Sequence, residues 1–284
     1  MFQHISIIGV GLIGGSLGLA LKQAGLEGHI VGCDREEVLE RARKLGAIDE
    51  GLPDLSRALA GADLVILAAP ACAIIDLLYR IKDKVSSLAL VTDVGSTKKV
   101  ICSRAHDVFP KGPLFLGGHP LAGSEQSGIE HADASIFKGT HYLLTPQSRS
   151  DLSDRRVKAL SELIQKIGAT PFVTDSHTHD RAMTLLSHLP QLLSTGLAGL
   201  IAERSEGNFL SLEMTAAGFR DMTRLAKSPY SVWRDICLTN TENLHEILDL
   251  MIHKLESLKN HLSNRELERD FTIAQNLEDK LNRP

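Results

Sequence analysis

Seven short apolar runs punctuate the first 175 positions. Ile5–Gly11, His29–Asp34, Leu64–Pro70, Leu88–Gly95, Leu114–Pro120, His141–Pro146 and Thr170–Asp175 all read as strands. The first, third and fourth are continuous rather than alternating, the pattern of strands covered on both faces. Helical spacing fills much of the sequence between them. The predicted helices are Gly14–Ala24 (ended by Gly25), Glu36–Gly46, a segment after Pro70 running to about Val85, Thr97–Val108, and Lys158–Ile167. Strand–helix alternation of this kind predicts an α/β domain with a mainly parallel sheet and helices on both faces.

After Asp175 the texture changes and no further strong strand can be read. Asp175 or Ser176 can cap a helix running to about Ala202, with Pro190 as a kink. A second helix starts at Ser228-Pro229, and apolar residues recur at helical spacing from Val232 to Leu262. A last helix covers much of Arg265–Leu281. From Lys254 onward six basic and six acidic residues balance, as on a solvated helix face. The expected division is therefore residues 1–175, α/β, and residues 176–284, all-α.

Composition narrows the function classes. Lys plus Arg is 31 and Asp plus Glu is 35 in 284 residues, a net charge of −4. Bulk charge thus gives no reason to expect a nucleic-acid or anionic-membrane partner. Cys33, Cys72, Cys102 and Cys237 are far apart and suggest neither a zinc site nor a disulfide framework. Sparse cysteine fits a reducing compartment. The first residues, MFQHISIIGVGLIGG, carry no basic leader, and no uninterrupted apolar run reaches about 18 residues. A cytoplasmic protein with no membrane partner is expected.

Gly9-Val10-Gly11-Leu12-Ile13-Gly14 is a G-x-G-x-x-G that ends the first strand and opens the first helix. The first glycine permits a tight turn, the second lets a pyrophosphate approach the backbone, and the third lets helix and strand pack closely. The helix N-terminus presents free N–H groups to the phosphates. Gly9, Gly11, Leu12, Ile13 and Gly14 are accordingly candidate cofactor contacts. Asp34 ends the second strand 20 residues after Gly14, where an acid hydrogen-bonds an adenosine ribose. That carboxylate repels a 2′-phosphate and favours NAD over NADP, although Arg35 could receive such a phosphate. Pro70 and Ser96 stand at the C-terminal ends of the third and fourth strands, where a nicotinamide would lie. Ser96 could equally cap the helix before Thr97-Lys98-Lys99.

Two of the twelve histidines stand out. His119 ends a strand within Gly117-Gly118-His119-Pro120-Leu121-Ala122-Gly123. The flanking glycines suggest close approach of a ligand. This imidazole could take a proton from a hydroxyl, or simply bond a loop carbonyl. His188 precedes the Pro190 kink and could face a cavity or bond backbone. His177-Thr178-His179-Asp180 has the look of a metal pair but lacks a complete ligand pattern, so no metal is expected. His4, His106, His131, His245, His253 and His261 read as surface or helix residues. Arg220 and Arg224 are four apart, and either could clamp a carboxylate or form a surface ion pair. Trp233, the only tryptophan, reads as core or interface.

These blocks together resemble the prephenate/arogenate dehydrogenase family of tyrosine biosynthesis. The resemblance rests on GVGLIGGS, Asp93-Val94-Gly95-Ser96-Thr97-Lys98, Gly118-His119-Pro120-Leu121-Ala122-Gly123-Ser124-Glu125, Ser187-His188-Leu189-Pro190, and Gly218-Phe219-Arg220-Asp221-Met222-Thr223-Arg224 leading to Trp233-Arg234-Asp235. It implies a Rossmann domain followed by a helical dimerisation domain, and NAD-dependent oxidative decarboxylation of prephenate, with arogenate as the alternative substrate. It implies that His119 is catalytic, that Ser96 holds that histidine and approaches the nicotinamide, and that Arg224 binds a substrate carboxylate. Ser124 and Glu125 would line the mouth of the pocket and His188 its helical wall, while Asp180 and Trp233 would support the arginine. Some relatives carry a histidine where this chain has Gln191, which bears on substrate choice because a neutral amide brings no positive charge to a carboxylate. Neither a regulatory domain after the helices nor a fused chorismate mutase is expected.

Overall fold

The computed structural model describes residues 2–123, 126–205 and 212–281. Eight strands form one sheet in the order β3-β2-β1-β4-β5-β6-β7-β8. They are β1 (His4–Ile8), β2 (His29–Cys33), β3 (Glu50–Gly51), β4 (Leu64–Leu67), β5 (Leu90–Asp93), β6 (Leu114–Pro120), β7 (His141–Thr145) and β8 (Thr170–Val173). All neighbours pair in parallel except β6 and β7, which run antiparallel with His119 opposite Leu143. The helices packed with the sheet are α1 (Leu12–Gln23), α2 (Glu36–Lys44), α3 (Leu55–Leu59), α4 (Ala71–Ile81), α5 (Lys99–Val108) and α6 (Arg155–Lys166).

The continuous apolar runs become strands buried on both faces. Ile5, Ile7, Leu64, Ile66 and Leu90 belong to one core with Leu17 and Leu21 of α1 and Leu160 and Leu163 of α6. Ile8, Val65, Leu67 and Val91 point the other way, into a second core with Ile74 and Leu78 of α4 and Ile101 of α5. Strand residues alternate between faces, so a run that is apolar at every position feeds both layers. The sequence does not reveal β3 or α3. Both are short, and β3 pairs only as Val31–Glu50 and Gly32–Gly51.

The chain continues as α7 (Ser176–Met183), capped by the Asp175 carboxylate on the N–H groups of His177 and Thr178. A π-helical turn, Thr184–His188, leads into α8 (Leu189–Ser205). The predicted kink is this turn: Pro190 offers no N–H to the carbonyl four residues back, and the wider turn absorbs the mismatch. Among the described residues this helical run, Ser176–Arg204, is long and apolar enough by length and composition alone to cross a membrane. The sequence shows no such uninterrupted stretch because Asp180, Arg181, His188 and Gln191 break it. Then come α9 (Ala217–Thr223), a 3-10 turn Arg224–Lys227, and α10 (Tyr230–Thr239). The sequence joins Pro229 to Leu262 in one helix, but the structure breaks it at Asn240, whose φ of −132° is not helical.

Residues up to Thr241 make one compact unit and those from Glu242 a second. The second unit holds α11 (Thr241–His261), all but its first residue, and α12 (Glu266–Leu281). Its helices are joined by Lys254 and His261, both bonded to Asp270. Leu250, Ile252, Leu255, Phe271, Ile273 and Leu277 are exposed on it.

Candidate active site

The glycine loop is built as its spacing demands. Gly9 has φ +94°, and a Cβ there would lie 2.2 Å from the Ala68 carbonyl oxygen. A Cβ on Gly14 would lie 2.0 Å from the Gly9 carbonyl oxygen, so only glycine lets α1 start this close to β1 and β4. Gly11 is different: a Cβ on it would meet nothing within 4 Å. Its backbone borders open space at the N-terminus of α1, where no side chain caps the first N–H groups. Leu12 and Ile13 form the first turn of that helix, and the Ile13 side chain packs on the core. Gly11, Asp34 and Arg35 line one cavity of about 350 Å³. Asp34 Oδ2 accepts the N–H of Val10 at 2.8 Å, tying the acid to the loop. Free helix N–H groups, an unobstructed glycine and an acid at the adjoining strand end fit a dinucleotide. Pro70 caps α4 at the end of β4.

A second cavity of about 700 Å³ collects the other candidates. Ser96, His119, His188, Gln191, Arg224 and Trp233 all line it. Four separated stretches of chain thus meet: the segment after β5, the end of β6, the π-turn and start of α8, and the turn after α9 with α10. Arg220 is exposed and does not line it. Ser124 and Glu125 lie outside the described residues.

His119 is held from behind. Its Nδ1 lies 2.9 Å from Nε2 of His179, and His179 Nδ1 lies 2.7 Å from Asp180 Oδ1. Asp180 accepts the N–H groups of Lys98 at 2.7 Å and Lys99 at 2.9 Å. Three expectations change here. Helix α5 starts at Lys99 with its N–H donors on Asp180 from α7, so Ser96 is not its cap. His119 is held at Nδ1 by His179 rather than by Ser96. Asp180 is fully buried beneath the histidines rather than supporting the arginine.

The glycines before His119 also serve packing rather than ligand approach. A Cβ on Gly117 would lie 2.2 Å from Thr145 Oγ1, and one on Gly118 would lie 2.5 Å from the Asp93 carbonyl oxygen. That closeness lets Lys98, wholly buried, reach both the Asp93 carboxylate and the Gly118 carbonyl. A buried ammonium needs such partners.

The cavity's electrostatics follow from burial. Loss of water, then the neighbouring His179, the Lys98 ammonium and His188, holds His119 well below the usual imidazole pKa. Burial lowers His179 too, against the pull of Asp180, and takes His188 down to about 4. All three are neutral at pH 7. Asn240 donates through Nδ2 to Thr184 Oγ1 at 2.8 Å and to His188 Nδ1 at 3.2 Å. His188 therefore carries its proton on Nε2. Trp233 meets the His188 ring edge-on, with centroids 5.8 Å apart, so it braces this histidine. Gln191 donates through Nε2 to the Leu225 carbonyl at 2.9 Å, and Ser194 Oγ accepts the Ala226 N–H at 3.1 Å. Helix α8 thus fixes the turn that presents Arg224.

His179, Lys98, Asp93 and Asn240 were missed by sequence reasoning. One signal was available for the helical side. Asp180, Thr184, His188 and Gln191 recur at intervals of four, four and three, a polar line on one face of an apolar helix. Among the described residues no group of three His, Cys, Asp or Glu side chains could hold a metal ion.

Two family models match the chain: prephenate dehydrogenase, nucleotide-binding domain, over residues 17–173, and prephenate dehydrogenase, dimerization domain, over residues 175–276. The prephenate dehydrogenase of Lactococcus lactis is 35% identical over 262 residues, which are 92% of this chain and 69% of that protein. The crystal structure of Aquifex aeolicus prephenate dehydrogenase in complex with hydroxyphenyl propionate and NAD⁺ superposes with a TM-score of 0.89 at 30% identity, covering 99% of this chain and 97% of that one. Synechocystis arogenate dehydrogenase gives a TM-score of 0.83 at 29% identity, covering 98% and 99%.

Proposed function

The chain belongs to the prephenate dehydrogenase family of NAD-dependent oxidoreductases, and on that premise we propose that it converts prephenate to 4-hydroxyphenylpyruvate and CO₂ in tyrosine biosynthesis. The observation that carries this reading is the single cavity in which a neutral imidazole, His119, and a guanidinium, Arg224, both stand. NAD⁺, held by Gly9, Gly11, Leu12, Ile13, Gly14, Asp34 and Arg35 with Pro70 and Ser96 toward the nicotinamide, supplies the hydride acceptor when bound. NADP is disfavoured by the Asp34 carboxylate.

In this reading Arg224 binds a substrate carboxylate and orients the ring, and His188, a neutral donor at Nε2, lines the helical wall with Trp233. His119 Nε2 takes the proton of the C4 hydroxyl as C4 gives up its hydrogen with the electron pair. The bond from C1 to its carboxylate breaks, CO₂ leaves, the electron pair completes the aromatic ring, and the C4 oxygen takes the proton back from His119. Aromatisation drives the step, so the protein's part is orientation and proton removal. Gln191 positions the Arg224 turn.

We also place the division between the dinucleotide and helical parts at residue 175, and propose a cytoplasmic homodimer formed through the helical part. The exposed apolar residues of the second unit support the dimer. The test follows absorbance at 340 nm with NAD⁺ or NADP⁺ and prephenate, arogenate or a β-hydroxyacid. Turnover fastest with NAD⁺ and prephenate is expected. Preference for arogenate would reassign the substrate, and turnover of the hydroxyacid alone would remove the reading.

A further inference from the structure

The His119–His179–Asp180 line lies away from the substrate side of His119, and its bond pattern has one consistent solution. Asp180 accepts two backbone N–H groups, and Oδ1 also faces His179 Nδ1. A carboxylate offers only acceptors, so Nδ1 of His179 carries the hydrogen. Neutral His179 then has its lone pair on Nε2, 2.9 Å from His119 Nδ1. That contact is a hydrogen bond only if His119 Nδ1–H donates. The unprotonated nitrogen of His119 is consequently Nε2, the one left for the cavity.

We infer that His179 is a positioning residue which, anchored by Asp180, fixes the tautomer and ring orientation of His119 so that the basic nitrogen faces the substrate. The inference rests on His119 being the proton acceptor proposed above. An imidazole hydrogen-bonded at neither nitrogen divides between two tautomers, and only one of them can accept a proton from the substrate. The arrangement also steadies the charged state: once His119 is protonated at Nε2, its Nδ1–H still points at a lone pair backed by a carboxylate. Among the described residues, the charged and titratable groups near His119 are His179 and Asp180 from α7, Lys98 and Asp93 behind the strand, His188 from the π-turn and, lining the same cavity, Arg224. Lys98 is matched by Asp93, and His188 is neutral, so none of these competes for the His119 Nδ1 proton.

The test reads the tautomer without substrate or cofactor. In ¹⁵N-histidine-labelled protein at pH 7.5, long-range ¹H–¹⁵N spectra distinguish a protonated from an unprotonated ring nitrogen. His119→Asn assigns the His119 signals by their loss. The expected wild-type pattern is protonated Nδ1 and bare Nε2. In folded His179→Phe that single tautomer is expected to give way to a mixture, with kcat down on the order of 10²-fold and KM changed less than about threefold. His179→Gln, whose side-chain carbonyl can accept the same N–H, is expected to restore the tautomer and bring kcat to within about tenfold of wild type. Protonated Nε2 in the wild type, or an unmoved tautomer in folded His179→Phe, overturns the inference. If His179→Phe does not fold, the wild-type and His179→Gln spectra decide. Absence of turnover with prephenate alongside the expected tautomer would count against the substrate assignment and leave the positioning role standing.

Discussion

Three buried neutral histidines should make this protein acid-sensitive in a specific pH window. His188 offers the best-defined magnitude. Its pKa is about 4 in the fold and about 6.5 in an unfolded chain. Above pH 6.5 both states are neutral there and stability does not depend on this group. As pH falls below 6.5 the unfolded chain takes up a proton that the native state refuses, so stability is lost. The loss levels off near pH 4, where native His188 also titrates. Between pH 7 and pH 5 this residue alone removes about 1.8 kcal/mol, with a ceiling of about 3.4 kcal/mol. His119 and His179 shift the same way. Both therefore add to the loss on the acid side, against a typical total stability of about 5–15 kcal/mol.

Urea unfolding followed by Trp233 fluorescence at half-unit steps from pH 7.5 to 4.5 measures this directly, because the only tryptophan packs against His188. The informative comparison is His188→Phe, which keeps an aromatic edge contact but cannot titrate. It leaves Asn240 without one acceptor, so about 1 kcal/mol should be lost at pH 7. Its decline from pH 7 to 5 should be shallower by about 1.8 kcal/mol, so the two curves meet below pH 6. Parallel curves, or a wild type flat over that range, would show that His188 is not held neutral by the fold and would remove the physical basis for a neutral cavity.

His119→Asn should leave NAD⁺ binding intact and cut turnover by about 10²–10⁴-fold. The acid limb of wild-type kcat/KM should fall below pH 6.5, since burial and its neighbours hold His119 low; a limb at or above 6.5 would contradict that environment. Arg224→Ala should chiefly raise the KM for prephenate, by about tenfold or more for a lost charge-assisted pair, and steady-state kinetics with an unchanged KM would make the arginine structural. Gly14→Ala should abolish NAD⁺ binding in titration calorimetry or prevent folding, because the added carbon would meet the Gly9 carbonyl oxygen at 2.0 Å; normal affinity would show that the loop can rearrange.

The strands and the glycine loop could be read early because their signals are local. A run such as Leu64–Leu67 is apolar at every position only if both faces are covered, and Gly9 to Gly14 carry their constraint in their spacing. His119, His188 and Arg224 were also nameable, by residue type beside a strand end, a kink and a helix turn. What held them was not. His179 is 60 residues from His119, and Lys98 meets Asp180 82 residues away. The pair His177 and His179 invited a metal reading, yet only His179 is buried. Asn240 stood inside what reads as an unbroken helical stripe, and no periodicity reveals that its side chain breaks the helix to serve Thr184 and His188.

The placement of Asp180 explains why these features depend on each other. One carboxylate takes the first N–H groups of α5, two residues beyond Ser96, and the Nδ1–H of His179. The loop that carries Ser96 and the ring that orients His119 are therefore fixed from the same point. Leaving those donors unsatisfied in the interior would cost about 1–3 kcal/mol each, so the polar line on the helix is retained within an otherwise apolar surface. The same helical run, beyond the π-turn in α8, uses Gln191 and Ser194 to hold the Arg224 turn. A shift of α7 and α8 as a body would move acid, base support and guanidinium holder together, keeping the spacing between His119 and Arg224. A local unwinding at the π-turn would instead separate them. The mismatch at Pro190, which itself lines the cavity, is consequently a point where a substitution can change the spacing between His119 and Arg224.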